Sequence, residues 1–343
     1  MTARTRYLVI SSALVTFVGV GSGLVAYYAG FPAGAVAGLS GPDELQYVPS
    51  DAAVVAYADV RHIMASELRQ RIRTVMPGHD KGQHEFETLT GINVETDIDH
   101  VVACLLPDAS GNKGPGVGLV LARGTFNEVK IEALMREHGA RVEQYKDKRL
   151  IVGAAHPANQ DAPAPENPDS SRDFALSFLK PGLVAIGTST LIHRAIDLEN
   201  GGANITTNEE VAGLVRSLDS SNAWAVGRFD TLRASARLPR GIGDLPPITW
   251  FSASGTVNDG IAAVLRAETS SDEAAKNLRD LIQGFAALAS LQAGSKPELK
   301  ALAQSLEISG TGKTVALSFS VPGRLLDLMT APGAARPSGS RAH

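Results

Sequence analysis

The sequence predicts an α+β fold: two tandem similar halves of mostly antiparallel sheet with packed helices, preceded by one N-terminal transmembrane helix. Three observations lead to this prediction. Residues 7–28 contain no Asp, Glu, Lys, Arg or His. Further along, closely spaced strands are interrupted by single helices, an order typical of antiparallel α+β folds. Finally, a strand-to-helix unit near residue 120 matches a second unit near residue 264.

Composition and charge set the broad class of the protein. The 343 residues are 44% hydrophobic and 20% charged, which is typical of globular proteins, and the length corresponds to about two domains. The formal net charge of −4 argues against a dedicated nucleic-acid binder. Cys104 is the only cysteine, so this chain alone forms no internal disulfide and no cysteine-based zinc or iron–sulfur cluster.

The stretch 7–28 predicts an uncleaved transmembrane signal anchor. As a helix its 22 residues would span about 33 Å, enough to cross a hydrocarbon core of roughly 30 Å. Residues 1–6 carry two arginines, and no Lys or Arg follows the stretch until Arg61. Because positive charge is retained on the cytoplasmic side, residues 1–6 are expected inside the cell and the C-terminal body in the periplasm. The alternative is a signal peptide cleaved after Ala37, for which the apolar stretch is too long.

Residues 29–49 are rich in Gly, Ala and Pro and predict a tether, after which the first α+β half covers 50–205. Apolar and β-branched runs predict its strands, and apolar spacing near i, i+4 and i+8 predicts its helices. In order, these are a strand at 54–60, a helix at 64–76, strands at 98–106 and 117–121, a helix at 131–138, and strands at 149–152 and 183–187. The proline-rich loop 156–172 is expected to be disordered.

The second half, 206–330, follows a similar order. Its predicted elements are strands at 223–229, 248–257 and 261–267, a long helix around 278–289, a short helix at 297–306, and a hairpin of 307–309 with 315–321. The polar tail 331–343 is expected to be disordered.

An ungapped match at an offset of 144 residues predicts that the halves arose by duplication. The paired positions are Val120, Leu121, Thr125, Glu128 and Leu134 with Val264, Leu265, Thr269, Asp272 and Leu278. Each copy also contains a capping-box pattern, beginning at Thr125 in the first and at Ser270 in the second. The alternative is chance similarity between two ordinary strand–helix units.

Several motifs suggest chemistry but lack its full pattern. Residues 310–314 (Gly-Thr-Gly-Lys-Thr) resemble the end of a phosphate-binding loop, yet Glu307 stands where the first glycine belongs and a strand follows instead of a helix. We therefore interpret the motif as a hairpin turn and predict no nucleotide binding. No Gly-x-Ser-x-Gly or His-Glu-x-x-His pattern is present.

Histidines, acids and the thiol give weaker signals. The spacing of His79 and His84 suits a solvated loop better than a metal site. Asp97 and Asp99 share one strand face, where a solvated edge is favoured over a Ca²⁺ site. Cys104 lies among apolar residues and is expected to be inert. The sequence thus predicts no catalytic, cofactor-binding or metal-binding residues and no cofactor.

The opening of the exported part resembles a known family. Tyr47-Val48-Pro49-Ser50-Asp51-Ala52, following a tether and a signal anchor, is similar to the Pro-Ala-Asp-like opening of a bacterial membrane-anchored family, domain of unknown function 3352. Ser50 replaces the usual alanine of that opening. The resemblance implies a location and a fold, and it carries no catalytic residues over to this chain.

These observations predict a membrane-tethered extracytoplasmic protein that is not an enzyme and acts as a binding or envelope-assembly component. One alternative is a carrier or binder of lipid or another apolar ligand, since a helix laid on a curved sheet can enclose a cavity. Another is a hydrolase whose catalytic residues are dispersed along the chain. The expected partners are the membrane, through the N-terminal helix, and an envelope protein or lipid, with no nucleic acid and no nucleotide.

Overall fold

The computed structural model describes residues 42–70, 84, 87–88, 90–107, 117–153, 174–218, 221–231, 245–293 and 305–322. The predicted anchor, the loop 156–172, the tail 331–343 and most of the predicted helix 297–306 lie outside these residues. Within them, no helix combines the length and apolar character needed to cross a membrane.

The described strands form one sheet. Their bounds are β1 Val54–Ala58, β2 Ile98–Leu106, β3 Val117–Gly124, β4 Arg141–Tyr145, β5 Lys148–Val152, β6 Ala175–Lys180, β7 Leu183–Gly187, β8 Ala223–Arg228, β9 Ile248–Val257, β10 Ile261–Thr269, β11 Glu307–Ser309 and β12 Thr314–Val321. The helices are α1 Val60–Ala65, α2 Glu128–Glu137, α3 Ser189–Glu199, α4 Glu209–Arg216 and α5 Asp272–Ala293, with short 3₁₀ helices at Asp43–Tyr47 and Ile205–Thr207.

The sheet has 12 strands in the order β11-β12-β10-β9-β8-β1-β2-β3-β7-β6-β5-β4. Each paired neighbour is antiparallel, and β1, the sixth strand in this order, pairs with β8, the fifth, with Ala56 opposite Ala225. The predicted α+β class with a mostly antiparallel sheet is confirmed. On one side of this β1–β8 junction β1, β2 and β3 form a meander, and on the other side β8, β9 and β10 do the same.

The two faces of the sheet are covered by different helices. One face, here called the α3 face, packs against α3, α4 and both 3₁₀ helices through a cluster that includes Val102, Leu121, Ile192 and Val226. The opposite face, here called the α5 face, packs against α1 and α2 near β2, β3 and β7, and against the start of α5 near β9, β10 and β12. Side chains alternate between these faces because successive residues of a strand point in opposite directions.

The chain after β1 differs from the single helix predicted over 64–76. Helix α1 ends at Ala65, and Ser66 adopts an extended conformation. The Ser66 hydroxyl donates to the Ile63 carbonyl at 2.7 Å and accepts from the Arg69 amide at 3.2 Å. This one side chain therefore satisfies backbone groups on both sides of the break, which makes an interruption of the helix inexpensive.

Residues 42–49, which the sequence places in a tether, are packed onto the body. Leu45, Tyr47 and Val48 are buried, and the Ile205 amide donates to the Val48 carbonyl at 2.8 Å. The chain therefore joins the folded body at least as early as Pro42.

The helix caps also differ in detail from the predicted capping boxes. The α2 cap is Asn127, whose side chain accepts from the Lys130 amide, and the Ser271 hydroxyl accepts from the Ala274 amide at the start of α5. Both helices thus begin with side-chain caps, two residues and one residue later than the predicted ones.

Candidate binding site

The α5 face of β9, β10, β12 and β11 carries cross-strand rows of apolar side chains. In one row Ala253 pairs with Leu265, Leu265 with Leu317, and Leu317 with Ile308. Directly paired residues of an antiparallel sheet share a face, so these four side chains form a line across four strands. We call this row, together with the adjoining Phe319, the apolar trough.

The rows on either side of the trough are covered by other parts of the chain. On one side, Val257, Ile261 and Val321 are buried in a cluster with Leu68. On the other side, Val315 and the partly buried Ala267 pack with the first turns of α5. The row between is more open: Leu265 is 39% exposed, and Ala253, Leu317 and Ile308 are partly buried. The trough is therefore an accessible apolar strip between two covered rows.

Every side chain that these strands place on the α5 face between the two covered rows is apolar, whereas the α3 face of the same strands mixes polar and apolar side chains. On β10, Arg266 and Glu268 are exposed on the α3 face, next to Leu265 and Ala267 on the other. On β12, Ser318 and Ser320 alternate with Leu317 and Phe319 in the same way. Among the large apolar side chains of these strands, Leu265 on the α5 face is the exposed one, and exposed apolar side chains of this kind mark interaction surfaces.

Helix α5 borders the trough and is itself only partly packed. Ala275, Leu278 and Ile282 contact the sheet cluster, and the Arg279 guanidinium donates to the Gly312 and Thr314 carbonyls at 2.9 and 3.1 Å. One turn further along the same apolar stripe, Phe285 is 63% exposed. The helix is therefore fastened near its start, and its apolar face continues beyond the sheet contacts.

A second notable feature is a buried carboxylate where the chain enters the body. Glu44 lies in the first 3₁₀ helix, and its side chain is 3% exposed. It accepts a hydrogen bond from Arg123 Nε at 2.7 Å and lies 3.1 Å from His100 Nε2. Burial alone would raise the pKa of Glu44, but its hydrogen bonds with His100, with its own backbone amide and with Arg123 outweigh burial and lower the pKa to about 2.

The carboxylate acts together with backbone contacts to fix the entry segment. Pro49 forms an isolated antiparallel bridge with Asn204, and the Ser50 amide donates to the Ala203 carbonyl at 3.2 Å. On the strand side, the His100 ring lies 5.6 Å from the Tyr57 ring. We interpret this group as structural, because the acid forms an ion pair with Arg123 and its oxygens point at Arg123 and His100.

The weaker candidates from the sequence now have defined positions. Both carboxylate oxygens of Asp97 accept local hydrogen bonds, one from the Asn93 amide and one from the Thr96 hydroxyl, and Asp99 pairs with Arg61. In the parts of the chain that are described, no group of three or more His, Cys, Asp or Glu side chains is arranged to hold a metal ion. His79 lies outside those parts.

The thiol and the glycine motif agree with the sequence predictions. Cys104 is buried in β2, and burial raises the pKa of its thiol to about 12, as expected for an inert core residue. Residues 310–314 connect β11 to β12 as a hairpin turn, with positive φ of 101° at Gly310 and 56° at Gly312. The predicted turn is confirmed.

The sequence analysis did not identify the apolar trough, although part of its signal is present. The alternation of apolar and polar residues in β9 and β12 indicates which side chains share a face. It does not indicate which rows of that face α5 and Leu68 cover, nor that Leu265 is left 39% exposed.

No family model matches the chain, and no curated protein matches it. Among solved structures, crystal form III of TP0453 has a TM-score of 0.48 and 12% identity, covering 86% of this chain and 100% of that one. Crystal form I of TP0453 has a TM-score of 0.45 and 12% identity, with coverage of 84% and 97%.

Proposed function

We propose that this chain is a membrane-tethered extracytoplasmic protein that acts by binding and not by catalysis, with the apolar trough as its contact surface. The observation that carries the proposal is the partly exposed row Ala253, Leu265, Leu317 and Ile308 on an otherwise covered sheet face. Contact between apolar surface and water is unfavourable, and a bound partner that covers the strip removes that contact. The strip is therefore a natural binding surface.

The tethering part of the proposal comes from the sequence. The charge-free segment 7–28 has the length of a membrane span, and residues 29–41 separate it from the first described residue. The arginines of residues 1–6 favour a cytoplasmic N-terminus, which places the body in the periplasm. The resemblance to the family known as domain of unknown function 3352 stays a prediction that agrees with this location.

We also propose that the body consists of two duplicated halves that share the sheet. Helices α2 and α5 begin at Glu128 and Asp272, separated by the same 144 residues as the sequence match. Both follow the third strand of a meander, and the hairpins β2–β3 and β9–β10 each have an irregular register near the end of that strand. These shared irregularities support duplication over chance, because a bulge needs a specific local sequence.

A second candidate function is a carrier or binder of lipid or another apolar ligand. The charge-free lining of the trough favours it, since an apolar ligand needs little polar complementarity. This candidate differs from an envelope-assembly role in the occupant of the trough, and it shares the same surface.

The location can be tested in cells that express the full chain. We expect protease added to spheroplasts to digest the C-terminal body, alkaline extraction to leave the protein in the membrane, and N-terminal sequencing to find the original terminus. A body protected in spheroplasts, or a new terminus near Gly38, would contradict the anchored topology. A cytoplasmic protein expressed in the same cells serves as the control for spheroplast integrity.

A further inference from the structure

We propose that the apolar trough holds a single acyl chain of a membrane lipid, lying across β9, β10, β12 and β11 above Leu265. This inference deepens the proposed function and rests on it for access to the bilayer. It specifies the occupant and its path on the sheet.

The size of the trough favours an acyl chain over a protein surface as its occupant. Four neighbouring strands at about 4.8 Å spacing make a strip roughly 14 Å long, and the rows on both sides are covered by α5 and by Leu68. A stable protein–protein interface needs about 800 Å² from each partner. A strip one side chain wide falls well short of that area, whereas an extended acyl chain matches both its width and its chemistry.

The four strands place no polar side chain in the trough. Ala253, Leu265, Leu317 and Ile308 contribute hydrocarbon side chains, and the phenyl ring of Phe319 adjoins them in the next row. The strip reaches β11, the outermost described strand on this side of the sheet. A bound acyl chain can therefore leave the trough past Ile308, with the head group of its lipid in water at the sheet edge.

Access to lipid follows from the length of chain before the body. Residues 29–41 are 13 residues between the predicted membrane span and the packed segment that begins at Pro42. Fully extended, they reach at most about 47 Å. The trough of a body held this close to the bilayer faces lipid as its most abundant apolar partner.

The test uses the full chain in nanodiscs that contain a palmitic acid analogue with a terminal diazirine, followed by light activation and peptide mapping. We expect adducts on peptides from β9, β10 and β12, in addition to adducts within residues 7–28 from the surrounding bilayer. The pair Leu265→Gln and Arg266→Gln places the same new side chain on opposite faces of one strand. We expect Leu265→Gln to lower labelling of the β-strand peptides about tenfold, because an amide now faces the chain, and Arg266→Gln to leave labelling unchanged.

A second variant covers the case in which Leu265→Gln fails to fold, which far-ultraviolet circular dichroism would show. Ala253→Trp fills the trough with another apolar group and is expected to reduce the same labelling. Adducts confined to residues 7–28, or equal strand labelling in Leu265→Gln and Arg266→Gln, would overturn the acyl-chain site. Strand adducts without any adducts at 7–28 would support the site and instead count against the membrane anchor.

Discussion

Replacement of Glu44 by glutamine tests whether the entry segment is held by charge. The variant keeps the shape of the side chain and removes its negative charge. In the wild-type protein the pKa of Glu44 falls from an ordinary value of 4.5 to about 2, because hydrogen bonds from His100 and Arg123 outweigh the cost of burial. Lowering the pKa of Glu44 from 4.5 to about 2 corresponds to roughly 3 kcal/mol in favour of the folded state.

The sign of the pH dependence follows from this shift. A carboxyl group with a lowered pKa contributes its full stabilisation above pH 4.5, and the contribution is lost as the pH falls toward 2. At pH 7 we therefore expect Glu44→Gln to lower the free energy of unfolding by about 3 kcal/mol. Between pH 4.5 and 2 the difference from wild type should shrink, because protonation removes the same charge from the wild-type protein.

The measurement is chemical unfolding of the full chain in a non-ionic detergent, followed by tryptophan fluorescence at several pH values. The matched control is Glu143→Gln, since Glu143 pairs with Arg141 at 2.7 Å on the surface, where its side chain is 42% exposed. Exposed pairs contribute at most about 1 kcal/mol, so this control should change little. Equal losses in the two variants at pH 7, or a Glu44→Gln difference that does not vary with pH, would refute the buried-charge explanation.

Three further predictions follow from close packing and capping. Gly124→Ala should destabilise the fold by about 3 kcal/mol in the same chemical unfolding measurement, since the added Cβ would lie 1.9 Å from the Asp97 carbonyl oxygen. As its control, Gly213→Ala places a Cβ with nothing within 4 Å and should instead stabilise α4 by about 1 kcal/mol. Ser66→Ala should cost about 1 kcal/mol, because it removes the hydroxyl that bridges the helix break, and a loss below a few tenths would contradict that role. Cys104 should react with a maleimide only after unfolding, since its thiol is buried with a pKa of about 12; mass spectrometry showing rapid labelling of the folded chain would disprove this.

Strands with strong local signals were predicted well from the sequence. The predicted bounds of β2, β9 and β7 coincide with those in the structure, because each is rich in apolar and β-branched residues. Strand β4 was missed, since Arg141–Tyr145 is a polar, largely exposed edge strand with little apolar alternation. Helix α3 was also missed, although its buried residues Leu191, Ile192, Ala195 and Ile196 follow helical spacing.

The candidate site depended on information that no local pattern contains. Alternation in β12 predicts that Leu317 and Phe319 share a face. Whether that face is covered depends on contacts with α5 and Leu68, which come from other parts of the chain. The contacts of the buried Glu44 carboxylate also cannot be read from a local pattern, because Glu44, His100 and Arg123 come from three distant parts of the chain.

The pairing of β1 with β8 inside the sheet also affects how the protein is made. About 165 residues separate the end of β1 from the start of β8. At roughly 5–20 residues per second of synthesis, β1 exists for about ten to thirty seconds before its partner is available. During that interval β2 can protect one edge of β1, and the other edge stays open to any strand it encounters. A chaperone that shields an apolar strand edge is therefore most useful to this protein early in synthesis, before its second half exists.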